Sequence, residues 1–177
     1  MQIESEKRLI DANLNRLREG IRVIEDIARY ILNDLPLVSR LKTLRHRVRI
    51  NNANLADSLL QNRDIKNDIL KKSTFSESKR ENLRDIAIAN FKRAEESARV
   101  LEEMFKLDSL DSLGNVDLRL DSQDLERESS EFSAKSSIDL RESNAKLSAI
   151  CEIFKAIRYE LYDIEIAYFK IFDRAQV

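Results

Sequence analysis

The sequence predicts an all-α protein, a helical bundle of about four long helices, and three observations lead there. Two glycines and one proline in 177 residues leave few places for tight hairpin turns. Apolar residues recur at three- and four-residue steps over long stretches, which is the period of one helix face. A helical motif, Ala-Asn-x-x-Arg-x-x-Glu-x-x-Arg-Val-x-Glu, begins at Ala12 and again at Ala89, so the bundle is expected to carry an internal repeat.

The first helix is predicted over Glu6 to Leu32, with Leu9, Ile10, Leu14, Leu17, Ile21, Ile24, Ile27, Ala28 and Ile31 on its apolar side. Asn33-Asp34-Leu35-Pro36 ends it, because Pro36 biases Leu35 away from helical geometry while fitting the first turn of a following helix. Leu37, Val38, Leu41, Leu44 and Val48 start that second helix. Its pattern weakens around Asn51-Asn52-Ala53-Asn54, and the stretch to Asp64 reads as a broken helix. Residues 71–76 read as a loop with Ser76 as N-cap, followed by a third long helix over Glu77 to Leu107 that carries the second motif copy. Residues 108–144 are rich in Ser and Asp and lose the apolar period, so they are expected to be a linker or insertion within one domain of residues 1–177. From Ala145 to Phe172 the pattern returns with Ile150, Cys151, Phe154, Ile157, Leu161, Ile164 and Tyr168, a closing fourth helix.

Composition narrows the function classes. The 31 basic and 32 acidic residues nearly cancel, which argues against a nucleic-acid-coating protein. One cysteine and one histidine exclude an intramolecular disulfide and a conventional zinc site. The acidic start lacks the apolar core of a leader, and no apolar run reaches the roughly 18–20 residues of a membrane span. A cytoplasmic protein with no membrane partner is expected.

In the repeat, Asn13, Arg16, Glu19, Arg22, Val23 and Glu25 match Asn90, Arg93, Glu96, Arg99, Val100 and Glu102 at a spacing of 77 residues. On a helical projection Asn13 falls in the apolar arc, Gly20 lies beside it, and Arg16, Glu19 and Asp26 run further round one edge. The second helix repeats this with Asn90, Ser97, Arg93, Glu96 and Glu103. A buried amide needs partners, and Gly20 and Ser97 leave room for a neighbouring helix or a ligand. Two readings stay open at this point. The asparagines fix helix register, the small residues allow close packing and the Arg/Glu pairs are solvated; or Asn, Arg and Glu from both copies converge on an anionic ligand and a divalent ion.

The stretch Asp11-Ala12-Asn13-Leu14-Asn15-Arg16-Leu17-Arg18-Glu19-Gly20-Ile21-Arg22-Val23-Ile24-Glu25-Asp26 resembles the opening signature of the small helical hydroxymethylpyrimidine phosphate kinase family, a domain often fused to thiamine-phosphate synthase. Similar elements follow in order: Leu41 to His46, Arg63-Asp64 with Asp68, Ala89 to Glu103, and Ile157 to Glu165. Two departures are the absence of a small residue after Asp68 and a longer stretch between Asp108 and Asn144. No synthase domain follows Val177, so a stand-alone member is expected.

The resemblance implies ATP-dependent phosphorylation of hydroxymethylpyrimidine phosphate to the diphosphate, a step of thiamine biosynthesis, with ATP and a pyrimidine phosphate as small-molecule partners and Mg2+ as cofactor. No glycine-rich phosphate loop is present, so side chains must grip the phosphates. The candidates are Arg16, Arg93, Arg45 and Arg63, with Asn13, Asn90 and His46 as further ligand contacts. Glu19 and Glu96, or alternatively Asp64 and Asp68, are the candidate magnesium ligands. His46 has as ready an explanation as a structural residue, Cys151 as a buried thiol, and Tyr159 and Tyr162 as core rather than ring-stacking groups. The competing functional class is a non-enzymatic binding or scaffold protein in which the polar rows pair helices of a bundle or homodimer.

Overall fold

The structure, a computed structural model, describes residues 2–49, 53–69, 80–107 and 140–175, and these are all-α. Helix α1 spans Gln2–Ile27 and runs into a π-helical turn at Ala28–Leu32. Asn33 stops it in the left-handed conformation, φ 53°, which Asn tolerates better than other residues with a Cβ. The backbone N–H groups of Asn33 and Asp34 both donate to the Ala28 carbonyl.

Helix α2, Leu35–Arg47, is capped by Asp34, whose carboxylate accepts from the Leu37 N–H at 2.9 Å. It starts one residue ahead of the expected break, with Leu35 already helical and Pro36 in the first turn. Helix α3 is short, Ala53–Gln61, in keeping with the weakened pattern there. Helix α4, Leu83–Met104, begins later than expected. Its cap is Asn82, which accepts from the Asp85 N–H at 2.8 Å, while the Asp85 carboxylate reaches back past the cap to accept from the Glu81 N–H at 3.2 Å. The loop expected at 71–76, with Ser76, lies outside the described residues. Helix α5, Leu140–Arg174, starts inside the expected linker, whose residues 108–139 are not described.

Ion pairs across the helix contacts mark the helix directions. Arg84–Asp173, Lys92–Glu165 and Arg158–Glu102 lace α4 to α5 in antiparallel order. Arg40–Asp163 and Arg47–Glu160 do the same for α2 and α5. The α1–α2 hairpin therefore lies against the α4–α5 hairpin with α1 and α4 antiparallel at the centre. Leu17, Ile21, Ile24, Phe91, Ala94, Ala98, Leu101, Phe154, Ile157 and Leu161 are fully buried in the shared core. Two expected core residues are exposed. Leu9 heads the polar row one step off the Ile10–Leu17–Ile24 line, and Ile31 sits in the π turn, whose wider bonding shifts the face.

Gly20 fixes how closely α1 and α4 approach. A Cβ there would lie 3.0 Å from the Asn90 carbonyl oxygen and 3.3 Å from the Ala94 Cβ, so backbone meets backbone at this crossing. Among the described residues, no helix is long and apolar enough to cross a membrane.

Candidate functional site

The two motif copies face each other across α1 and α4, and their polar edges border one cavity of about 690 Å³. That volume falls in the range of roughly 300–1,000 Å³ typical of small-molecule sites. Asn13, Arg16 and Glu19 come from α1; Lys92, Arg93 and Glu96 come from α4. Arg16, Glu19, Arg93 and Glu96 form no hydrogen bond or ion pair among the described residues. Four charged groups of both signs thus share a hollow without closing on one another. Lys92 differs, since its ammonium is held by Glu95 at 2.9 Å and Glu165 at 3.0 Å.

The asparagines solve their burial locally. Asn13 donates to the Leu9 carbonyl at 2.9 Å and Asn90 to the Ile86 carbonyl at 2.7 Å, each one turn back on its own helix. Asn13 still lines the cavity, where its side-chain oxygen is available to a donor. Asn90 does not; it lies under the Gly20 crossing and acts in packing. Gly20 likewise serves the helix contact, whereas Ser97 lines the cavity.

Behind this cavity the repeat builds a matched pair of carboxylate clamps. Glu25, 2% exposed, receives Arg22 from its own helix at 3.5 Å and Arg45 from α2 at 2.6 Å. Glu102, 4% exposed, receives Arg99 at 2.7 Å and Arg158 from α5 at 2.9 Å. Arg22 and Arg99 also reach the half-buried Asp26 and the exposed Glu103. Two of the motif's Arg/Glu pairs, Arg22/Glu25 and Arg99/Glu102, are therefore not merely solvated: their carboxylates are buried and tie each hairpin's two helices together. A buried ion left alone would be costly, and two guanidinium partners offset that cost.

Several sequence candidates lie away from the cavity. Arg45 is committed to Glu25. His46 is beside it, and desolvation, with Arg45, Arg49 and Lys42 adding repulsion, pushes its pKa below the ordinary imidazole value. Arg63 is locked bidentately on Asp11 at 2.7 and 2.8 Å, and the hydrogen bond to Asp11 raises its pKa. Asp64 folds into a turn, accepting from the Lys66 and Asn67 backbone N–H groups and the Asn67 amide, with Arg8 3.7 Å away. Those bonds, led by the Asn67 amide, hold its pKa below the usual carboxylate value. Neither Asp64 nor Asp68 borders this cavity.

Among the described residues, no three His, Cys, Asp or Glu side chains gather into a metal cluster. Tyr159 is 59% exposed, with the Arg158 guanidinium 5.1 Å from its ring, so it is not a core residue. Cys151 is buried, and burial raises its thiol pKa, which disfavours the reactive thiolate. Lys92 and Arg158 escaped sequence reasoning. Lys92 sits where the first copy has Asn15, and Arg158 belongs to a helix outside the motif, so the repeat alone could not find either.

The fold and site define a class: an all-α protein of two helical hairpins with an open, doubly charged cavity where the repeat helices meet. The ThiD2 family model matches residues 8–128, and the chain belongs to the ThiD2 family. It is 40% identical over 101 residues to thiamine-phosphate synthases of Rhodopirellula baltica and Synechocystis, covering 56% of this chain and 27% and 29% of theirs. A thiamine-phosphate synthase of Prochlorococcus marinus is 29% identical over 164 residues, 93% of this chain and 36% of the relative. The chain thus spans only about a quarter to a third of the length of these relatives. No solved structure matches it.

Proposed function

We propose that the chain is a phosphotransferase of thiamine biosynthesis that phosphorylates hydroxymethylpyrimidine phosphate to the diphosphate at the expense of ATP. The observation that carries this reading is the set of unpaired Arg16, Arg93, Glu19 and Glu96 around one ligand-sized cavity. Charged side chains of both signs that could neutralise one another, yet do not, are placed to meet a ligand of mixed charge. The resemblance to thiamine-phosphate synthases supports the pathway.

In the reaction an acceptor phosphate oxygen attacks the γ-phosphorus of ATP, the bond to the β-phosphate oxygen breaks, and ADP leaves. The acceptor is already ionised near neutral pH, so no strong base is needed. Catalysis then consists of holding two polyanions in line and balancing their charge. Arg16 and Arg93, one from each copy, hold phosphoryl oxygens with forked N–H donors. Asn13, with one amide N–H on the Leu9 carbonyl, keeps an acceptor oxygen for the amino group of the pyrimidine. Glu19 and Glu96 fit magnesium, which takes one or two carboxylates plus phosphate oxygens and water; bound there, it would neutralise phosphate charge. Asp64 fits less well, because its oxygens are already engaged in its own turn.

A ligand that binds only the native state must raise apparent stability. Hydroxymethylpyrimidine phosphate with magnesium is expected to raise the melting temperature of the native protein saturably, and Arg16→Ala is expected to remove most of that shift. An unchanged melting temperature, or equal shifts in both proteins, would defeat the assignment of the cavity.

A further inference from the structure

A second cavity, about 260 Å³, lies on the opposite side of α1 from the first, between α1, the end of α2 and α3. Its floor is apolar, formed by Leu14, Val48 and Leu59, and its charged rim is Asp11, Arg18 and Arg63. Asp11 is fully used: both oxygens hold Arg63, and Oδ1 also accepts from the Asn15 amide at 3.2 Å. Arg18 has nothing comparable. Its Nε is buried without a hydrogen-bond partner, and no carboxylate forms an ion pair with it among the described residues.

The environment around Arg18 is short of negative charge. Burial pushes its guanidinium below the ordinary value, and the nearby Arg49 and Arg45 push it further, against a smaller opposing effect from Glu19. Arg45 is neutralised by Glu25, but Arg49 has no ion-pair partner among the described residues. A buried N–H donor left unmade costs about 1–3 kcal/mol, so the fold tolerates here a defect that an anion would repair.

The repeat shows that this cation is not demanded by the architecture. At the position of Arg18 the second copy has Glu95, and there Lys92 bonds both Glu95 and Glu165. In the second copy the carboxylate is ion-paired, although one buried Glu95 oxygen has no hydrogen bond, whereas the first keeps a half-buried arginine without an ion pair beside a hollow. We propose that the α1–α3 cavity is an anion site, distinct from the α1–α4 cavity, in which Arg18 turns its unbonded Nε edge out of the packing to hold the phosphate group of a small ligand. A guanidinium presents Nε–H and one Nη–H in the fork geometry that phosphate oxygens accept bidentately. The volume suits a phosphate with a small organic portion against Leu14 and Leu59, and is below that of drug-sized sites.

The arginine side-chain Nε–H resonances test this directly, with the Arg18 signal identified by its loss in Arg18→Lys and independently in Arg18→Gln. Inorganic phosphate is titrated against chloride at constant ionic strength, into the full chain and into an Arg16→Ala, Arg93→Ala variant that disables the first cavity. The Arg18 signal is expected to shift saturably in both proteins, and phosphate affinity in the second to fall about tenfold or more when Arg18 is also replaced. A signal that does not respond to phosphate overturns the proposal. So does one that responds only while Arg16 and Arg93 are intact, or one that chloride moves equally.

Discussion

Among single residues, Tyr168 and His46 show how local surroundings set behaviour. Tyr168 is fully buried between Phe91, Phe169 and Phe172, yet its hydroxyl has no partner, and burial pushes its pKa far up. Removing that oxygen removes an unmet polar group while keeping the ring contacts. Tyr168→Phe is expected to be neutral or to stabilise the fold by up to about 1 kcal/mol in urea denaturation; a loss of more than about 1 kcal/mol would mean the hydroxyl has a partner. His46 has its folded pKa below the unfolded value, so the unfolded chain binds the proton more readily. Its contribution to stability is present above the ordinary imidazole pKa and is lost as pH falls through that value toward the folded one. His46→Gln should therefore flatten the loss of stability between neutral and mildly acid pH, and identical pH profiles for the two proteins would remove this account.

At the scale of elements, the Gly20 crossing governs the cavity because it sets the distance between the two repeat helices. Gly20→Ala gains about 1 kcal/mol of helix propensity but pushes a methyl onto the Asn90 carbonyl, and overpacking costs about 1–3 kcal/mol. A net destabilisation in urea is expected, with weaker ligand binding as α1 and α4 separate; a stabilised variant would show that the crossing can relax. The helices themselves were legible because a 3.6-residue apolar period is local information, and it placed Ile10 to Ala28 and Ile150 to Tyr168 correctly. The start of α4 was not, because Ser76 and Asn82 are both good caps by type and only backbone geometry selects Asn82. The start of α5 escaped for a related reason, as Leu140 to Asn144 are polar enough to read as linker although their backbone is helical.

Over the whole molecule, the repeat made part of the candidate site readable. A spacing of 77 residues singled out Arg16, Glu19, Arg93 and Glu96 before any packing was known, and the antiparallel contact of α1 and α4 brings them to one cavity. It also singled out Glu25 and Glu102, but not their partners Arg45 and Arg158. Those pairings depend on which helix lies beside which, a tertiary fact that a repeat in one helix cannot encode. Arg63, taken from motif order as a phosphate ligand, is instead paired with Asp11, because the chain leaving α3 lies beside the start of α1 and brings the two together.

The same architecture separates structural from functional charge. The clamps on Glu25 and Glu102 are buried and internally paired, whereas Arg16, Glu19, Arg93 and Glu96 at the cavity are exposed and unpaired among the described residues. Replacing a cavity arginine should therefore leave helicity and cooperative melting close to normal while removing chemistry. The most direct measurement is the magnesium-dependent conversion of hydroxymethylpyrimidine phosphate and ATP to the diphosphate and ADP by the purified chain, with Arg16→Ala and Arg93→Ala alongside. Turnover by the native protein that falls by about 100-fold or more in each folded variant, the scale of losing a transition-state charge contact, is the predicted result. No diphosphate formed by the native protein, or turnover unchanged in either variant, would contradict it.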